Sequence, residues 1–194
     1  MNTRRVHPLG AVATLSLLVA CSEPHQAAGP ESVAPATEEQ REKADAEFAA
    51  AEAPAPVELS HAKRQLATTP SQDCNLERAN GSVFTGEAID VRGGQLRLSG
   101  WVADRELGSI PGEAELRLIS ATDNRAWEAK VSPALPRADV QKLLGGNVAY
   151  ANPGYSVTLD VSGLPSGRYR LYTVFPSSDE LRACDNGRVI SITN

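Results

Sequence analysis

Residue types that could perform chemistry are unevenly distributed along this chain of 194 residues. All three histidines lie at or before His61, so from residue 74 onward neither a Ser-His-Asp triad nor a Cys-His pair is available. A metal site there would also lack the commonest ligand. Carboxylates are present, for instance Glu113 with Asp104 or Glu128, but no spacing singles out an acid and a base. The inventory predicts no catalytic residue, no metal site and no cofactor.

The remaining chemistry belongs to the cysteine thiols, and the first of them ends an N-terminal signal. Two arginines precede an apolar run of about a dozen residues, whereas a membrane-spanning helix needs about 20. The run ends in L-V-A-C at 18–21. This ending resembles the lipobox of bacterial lipoproteins, which implies that residues 1–20 are a removed signal peptide and that Cys21 is acylated. Ser22 stands where an aspartate often retains such proteins at the inner membrane, so we expect a lipid anchor in the outer membrane, on its periplasmic face.

Two cysteines, Cys74 and Cys184, remain after the acylated one. In an exported chain the simplest use of such a pair is a disulfide, because disulfides persist outside the cytoplasm. The bridge would close a loop of roughly 110 residues, for which chain entropy gives about 4.7 kcal/mol of stabilisation. We predict that it joins the two ends of one folded domain.

Composition divides the mature chain at residue 74. Residues 22–73 hold 10 acidic and 4 basic side chains with 13 alanines and 6 prolines, whereas residues 74–194 hold 14 acidic and 13 basic ones. The first part has too little apolar surface to offset its conformational entropy. We therefore predict a lipidated tether over 21–73 that is disordered, or partly helical over 37–53. The second part is nearly neutral and offers no general attraction for nucleic acid, which is not expected as a partner.

From residue 74 onward, apolar and polar residues alternate in the way typical of β-strands. The alternating runs are short and are separated by turn signals such as Asn186-Gly187. This spacing predicts an all-β domain over 74–194, an antiparallel sandwich or barrel. One helix is predicted at 138–144, ended by Gly145-Gly146, as an element that crosses between groups of strands. The predicted strands are 83–91, 95–102, 113–119, 126–131, 155–161, 168–175 and 188–193, with a short piece at 181–184.

Three motifs occur in order within this domain. They are S-G-W-V-A-D at 99–104, P-R-A-D-V at 136–140, and G-Y at 154–155 followed by L-P-S-G-R-Y-R-L at 164–171. This order resembles the immunoglobulin-like β-sandwich modules appended to bacterial glycosyltransferases and envelope proteins, which share a G-W-x-x-D strand, an R-x-D-V turn and a G-[FY] strand start. The resemblance covers about residues 85–175. It implies an immunoglobulin-like sandwich of about seven or eight strands that serves as a non-catalytic accessory module.

Three aromatic residues are candidates for ligand contact. Trp101 lies on an alternating strand, on the face opposite to that of Leu96 and Leu98. Its place in the alternation alone therefore does not settle whether its indole is buried. A buried position and a stacking platform for a sugar ring or an aromatic side chain both remain open. Tyr150 and Tyr155 flank a predicted turn, where they pack against the sheet or form one wall of a groove.

Polar candidates stand close to the same motifs. Asp104 is predicted to cap a turn. Arg137 and Asp139 lie beside the predicted helix, where Asp139 offsets the helix dipole and Arg137 pairs with it locally or contacts a ligand. Four arginines alternate with apolar neighbours and are predicted to project from the solvent side of their strands. They are Arg97, Arg117, Arg168 and Arg170.

These expectations favour binding over catalysis. We expect a non-catalytic, membrane-anchored envelope lipoprotein that presents its sandwich to a protein partner. One alternative is a glycan-binding or cell-wall-binding accessory module that uses the aromatic rings as platforms. The other is an inhibitor or immunity lipoprotein against a cell-wall hydrolase, because S-G-R-Y at 166–169 is similar to the S-G-x-x-Y loop of lysozyme-inhibitor lipoproteins, although one residue shorter.

Overall fold

The computed structural model describes residues 53–92 and 94–193, which form a sandwich of two β-sheets. The all-β class predicted from the alternation is therefore confirmed. The predicted signal peptide, Cys21 and the tether up to residue 52 lie outside the described residues.

Eleven strands and two short α-helices make up this part of the chain, more strands than the seven or eight predicted because several span only two to four residues. In chain order the elements are β1 (Val57–Glu58), α1 (His61–Arg64), β2 (Thr68–Pro70), β3 (Cys74–Ala79), β4 (Ser82–Val83), β5 (Ile89–Arg92), β6 (Gln95–Val102), β7 (Ala114–Ser120), β8 (Ala126–Val131), α2 (Ala138–Leu143), a 3₁₀ turn (Val148–Tyr150), β9 (Gly154–Asp160), β10 (Gly167–Ser177) and β11 (Glu180–Thr193).

The larger sheet has seven strands in the order β1-β8-β7-β10-β11-β2, and β5 pairs with a second stretch of β11. The smaller sheet has the order β4-β3-β6-β9. All pairings are antiparallel except those of β2 and β5 with β11, which are parallel. The predicted antiparallel sandwich thus gains two short parallel additions at one edge.

The main core lies between the sheets, and the alternation of β6 shows how the sequence places it there. Leu96 and Leu98 are fully buried, whereas Gln95 and Arg97, which alternate with them, are exposed. On β10 the buried partners with the same period are Tyr169, Leu171 and Phe175. Each strand therefore directs one face into the core and the other outward.

The predicted disulfide between Cys74 and Cys184 is present, and it joins the two sheets. It links the first residue of β3 to the middle of β11, with their Cα atoms 5.9 Å apart and 110 residues between them in sequence. Beside it, the Asn186 side chain accepts from the Leu76 N–H at 3.2 Å and donates to the Cys74 carbonyl at 3.2 Å. One covalent and two hydrogen-bonded connections thus hold this side of the sandwich closed.

Asn186-Gly187 does not end a strand, although it was predicted as a turn between two of them. β11 continues through it, because residues 185–187 form a bulge opposite Tyr172 on β10. Gly187 has a φ of 67°, which favours glycine. The bulge turns Asn186 toward β3, where it makes the hydrogen bonds described above.

The sandwich includes residues that the sequence analysis placed in the tether. β1 pairs with β8, and β2 pairs with β11, although two other strands separate β8 from β11 in the sheet. Residues 57–70, here called the strap, therefore cross the outer face of the larger sheet. Leu59, near the start of the strap, is only 4 % exposed and anchors this short segment to the sheet. The composition of the surrounding residues, which is typical of a tether, did not indicate this contact.

The predicted helix is present as α2, which ends at Leu143, and Gly145-Gly146 follow shortly after it, both with positive φ. It lies in the connection from β8 of the larger sheet to β9 of the smaller one, and so crosses between the sheets as predicted. Residues 138–150, here called the lobe, pack against the outer face of the smaller sheet. The strap and the lobe thus cover opposite outer faces of the sandwich.

Candidate functional site

Trp101 and Tyr150 come together beneath the lobe. They form a second small core with Ala103 and Val140, and their exposed fractions are 7 % and 5 %. The indole faces away from the main core, as the parity of β6 requires, but the lobe covers it. Trp101 and Tyr150 therefore fix the lobe to the sheet and offer no exposed ring face for a ligand.

Asp104 shapes the chain next to this second core. Its carboxylate accepts hydrogen bonds from the backbone N–H groups of Glu106 and Leu107, each at 3.0 Å. Its carbonyl accepts from the Tyr150 hydroxyl at 3.4 Å. Asp104 is 1 % exposed, so it caps a buried turn that helps to hold Tyr150 in place.

Arg137 connects the start of the lobe to the smaller sheet. Its guanidinium donates to both carboxylate oxygens of Glu77, at 2.8 and 3.1 Å, and to both of Asp139, at 2.8 and 2.6 Å. Two bidentate pairs of this kind fix the orientation of the planar side chain. The hydrogen bonds that Arg137 donates to Asp139 and then to Glu77 raise the pKa of Arg137, and it remains charged at any ordinary pH.

The pKa of the Asp139 carboxyl depends on its pairing with Arg137. The hydrogen bond from Arg137 lowers its pKa from 3.8 to about 2. A carboxyl whose pKa is depressed by folding contributes stability above its unfolded pKa and loses that contribution as pH falls through the folded value. We therefore expect the Asp139–Arg137 contribution to be lost between about pH 4 and pH 2.

Carbon-detected NMR titration measures the pKa of the Asp139 carboxyl directly. A pKa near 2 is expected in the wild-type protein. Arg137→Gln should return the pKa toward 3.8, whereas Lys142→Gln, which changes a basic residue elsewhere on α2, should leave it in place. An Asp139 pKa that is the same in wild type and Arg137→Gln would contradict the assigned pair.

Tyr155 does not belong to the small core that Trp101 and Tyr150 share. It is 2 % exposed, belongs to the main core, and its hydroxyl is 3.1 Å from the Thr173 hydroxyl. Burial raises its pKa, and the hydrogen bond to Thr173 opposes that rise only in part. Tyr155 thus connects the sheets through the core, and it also lines a cleft of about 370 Å³ together with Glu77 and Arg137.

The tip of the lobe is its solvent-facing part. Leu143 is 71 % exposed and Val148 is 80 % exposed, and Gly145-Gly146 lies between them. Among the large apolar side chains of residues 53–92 and 94–193, these two are the most exposed. The predicted candidates therefore supply the base, and the exposed residues at the tip were not predicted.

The strap makes a second candidate region on the opposite face. Lys63 pairs with Glu128 and lies 3.7 Å from Glu115, while the Arg117 guanidinium donates to Glu115 at 3.1 Å. The hydrogen bond to Glu128 raises the pKa of Lys63. Two cations and two anions thus compensate each other beneath the strap.

One of the arginine predictions is corrected here. Arg97, Arg168 and Arg170 are exposed, but Arg117 is only 6 % exposed, because the strap covers this part of the outer face. Arg117 projects from the outer side of β7 as its parity predicts. Its burial follows from a segment that the sequence analysis assigned to the tether.

Two clefts flank the strap. One, of about 460 Å³, lies beside α1 and is lined by Leu59, Arg64, Arg117 and Ile119 among others. The second, of about 470 Å³, lies where the strap ends, and it is lined by Thr68, Pro70, Ser71, Gln72, Tyr172, Ala183 and Asp185. The second cleft contains an aromatic ring, and no sequence prediction had singled it out.

Comparison with known proteins gives no relative for this chain: no family model, no curated protein and no solved structure matches it. Over residues 53–92 and 94–193, no helix is long and apolar enough to cross a membrane. Over the same residues, no three His, Cys, Asp or Glu side chains are grouped as a metal site. The candidate regions are therefore interpreted from their own geometry.

Proposed function

We propose that this chain is a non-catalytic lipoprotein of the bacterial envelope, anchored in the outer membrane through acylated Cys21, and that it presents its sandwich to a protein partner. The observation that carries the proposal is the tip of the lobe, where Leu143 and Val148 are exposed on a firmly packed base.

The base is built so that the tip needs little ordering when a partner binds. Val140 is 2 % exposed against Trp101 and Tyr150, and Arg137 connects the start of the lobe to Glu77 on β3. A segment that is already fixed avoids much of the entropy loss that weakens binding by flexible loops. This makes the lobe suitable as a docking element.

The charge of the lobe indicates the chemistry of the partner's surface. Its charged side chains are Asp139 and Lys142, and Arg137 compensates Asp139. An interface centred on Leu143 and Val148 would be apolar with little net charge, which is typical of the buried centre of a protein interface. The partner is therefore proposed to present an apolar, uncharged patch.

The membrane anchor in this proposal rests on the sequence. A lipid at Cys21 and the roughly 30 residues between it and residue 53 would allow the sandwich to work at a distance from the membrane, with a root-mean-square span of about 30 Å for a flexible chain. Such reach suits a module that captures or positions another envelope protein.

The inhibitor alternative receives no support from its motif. Tyr169 of the S-G-R-Y sequence is 2 % exposed, its hydroxyl donates to the Pro165 carbonyl at 2.6 Å, and its ring packs edge-on against Trp127. A tyrosine held in this way stabilises the loop before β10 and is not available to enter another protein's active site.

Site-specific photocrosslinking in living cells tests the proposed docking surface. With p-benzoylphenylalanine at position 143 or 148, we expect one predominant protein crosslinked to the full-length lipoprotein. Val83 is the matched control position, since it is 52 % exposed on β4, outside the lobe. Equal crosslinking from position 83, or no protein crosslinked from either lobe position, would contradict the proposal.

A further inference from the structure

Tyr172 differs from every other aromatic side chain that the structure describes. Among the eight aromatic residues within 53–92 and 94–193, the other seven are buried, with exposed fractions of 7 % or less. Tyr172 is half-buried and lines the cleft at the end of the strap. A ligand that needs an aromatic surface therefore finds one here.

Tyr172 stands at the irregularity in the β10–β11 pair. Leu171 pairs with Arg188 and Thr173 pairs with Cys184, so three residues of β11, 185–187, stand opposite Tyr172. Bulges of this kind redirect side chains and occur often beside binding sites. The same bulge places Asp185 at the cleft, next to the ring.

The ring is held in place by its neighbours. The Arg170 guanidinium lies 5.7 Å from the ring centroid of Tyr172, and it also pairs with Asp185, with its Nε at 3.0 Å from a carboxylate oxygen. A cation at this distance over an aromatic ring is attracted by the ring's quadrupole. Arg170 thus positions both Tyr172 and Asp185, and compensates the charge of Asp185.

The opposite wall belongs to the strap and the residues after it. β2 pairs with β11 in parallel, the Ser71 N–H donates to the Ala183 carbonyl at 2.9 Å, and the Thr69 hydroxyl donates to Glu180 at 2.5 Å. These bonds fix the chain that carries Thr68, Ser71 and Gln72. The cleft is therefore formed by two anchored segments.

The lining combines one aromatic ring with hydrogen-bonding groups, all uncharged except Asp185. Thr68 and Ser71 contribute hydroxyls, Gln72 an amide, and Asp185 a carboxylate whose charge Arg170 compensates. Sugar rings match this chemistry, since each has an apolar face of C–H groups and a rim of hydroxyls that both donate and accept. The volume of about 470 Å³ lies in the range of small-ligand sites, about 300–1,000 Å³.

We propose that the cleft formed by Tyr172, Asp185 and residues 68–72 is a binding subsite for an uncharged saccharide. Tyr172 supplies the stacking surface, while Gln72 and Asp185 orient hydroxyl groups. The site lies in the larger sheet and shares no residue with the lobe, so it is separate from the proposed protein-docking surface.

Titration calorimetry with defined oligosaccharides tests this proposal. The protein is the mature chain from residue 21 with Cys21→Ser, and the probes are chitotetraose, cellotetraose and the charged tetragalacturonate. We expect one of the two uncharged probes to bind and tetragalacturonate to bind at least tenfold more weakly. Tyr172→Ala should weaken binding by roughly tenfold, the scale of a lost aromatic contact, while Tyr172→Phe should retain most of it.

Two further variants distinguish loss of the saccharide site from loss of stability and from loss of partner binding. Gln72→Ala changes an exposed cleft residue that is outside both cores, and it should weaken binding without lowering the melting temperature. Val148→Ala, in the lobe, should bind saccharide like the wild type even if it loses the protein partner. Failure of both uncharged probes to bind, or equal binding by wild type, Tyr172→Ala and Gln72→Ala, would overturn the saccharide site and leave the lobe proposal standing.

Discussion

Removal of the Cys74–Cys184 disulfide is expected to cause the largest loss of stability of any change considered for this protein. The bridge closes a loop of 110 residues and joins β3 of one sheet to β11 of the other. Loops of this size correspond to about 4–5 kcal/mol in the chain-entropy treatment. For a domain of this size we expect Cys74→Ser/Cys184→Ser to lower the melting temperature by about 10–20 °C.

Thermal unfolding followed by circular dichroism, with and without reductant, measures this effect. Reduced wild-type protein should unfold at a temperature close to that of the double variant, and the double variant should not respond to reductant. Replacing both cysteines avoids the free thiol that a single variant would leave. A melting temperature within about 2 °C of the oxidised wild type would show that the bridge does not constrain the unfolded chain.

Trp101→Ala is expected to have the second largest effect, because Trp101 is the largest side chain of the small core beneath the lobe. Its indole is 93 % buried against Val140 and Tyr150, as its 7 % exposure shows. Replacing a buried aromatic residue by alanine costs about 3–5 kcal/mol. Because this core is separate from the main one, we expect the lobe to open locally in addition to the global destabilisation.

Native-state hydrogen exchange separates local opening of the lobe from global destabilisation. In Trp101→Ala the amide of Leu144, which donates to the Val140 carbonyl at 2.9 Å, should lose protection, while amides of β6 and β9 retain most of theirs. Leu143→Ala is the matched control, since its side chain is 71 % exposed and contributes little packing. Unchanged protection of Leu144 in Trp101→Ala would contradict the assigned role of the indole.

The strands with regular alternation were the most predictable part of this fold. β6 at 95–102 and β8 at 126–131 have the predicted bounds, because each is a regular alternating run between turn signals. β3 at 74–79 was not predicted. Its pairing with β6 shifts between Leu76 and Arg78, and this irregularity breaks the period of two from which a strand is recognised.

The segments that cover the sheets were harder to predict than the sheets themselves. β1 and β2 are only two and three residues long, and they join the sandwich through pairing with distant strands. Their surroundings are rich in Ala, Pro and Glu, which is typical of a tether. Local composition therefore concealed contacts that depend on the completed sheet.

The surroundings of the candidate residues also depend on segments that are distant in the sequence. Parity placed Trp101 on the outer side of β6, but only the lobe, more than 35 residues later in the chain, decides that the indole is buried. Tyr172 could have been found from the sequence, since it shares the parity of the exposed Arg168 and Arg170. Its place in a cleft depends on the β11 bulge and on the strap, which no local pattern indicates.

Crosslinked copurification from bacterial envelopes tests the central proposal most directly. Full-length lipoprotein would be recovered from cells that produce the wild type, the unanchored Cys21→Ala form, or Leu143→Asp/Val148→Asp. We expect one protein in near-stoichiometric amount with the wild type and its loss in both variants. Recovery of that protein in equal amount from all three, or recovery of no protein at all, would contradict a membrane-anchored module that binds its partner through the lobe.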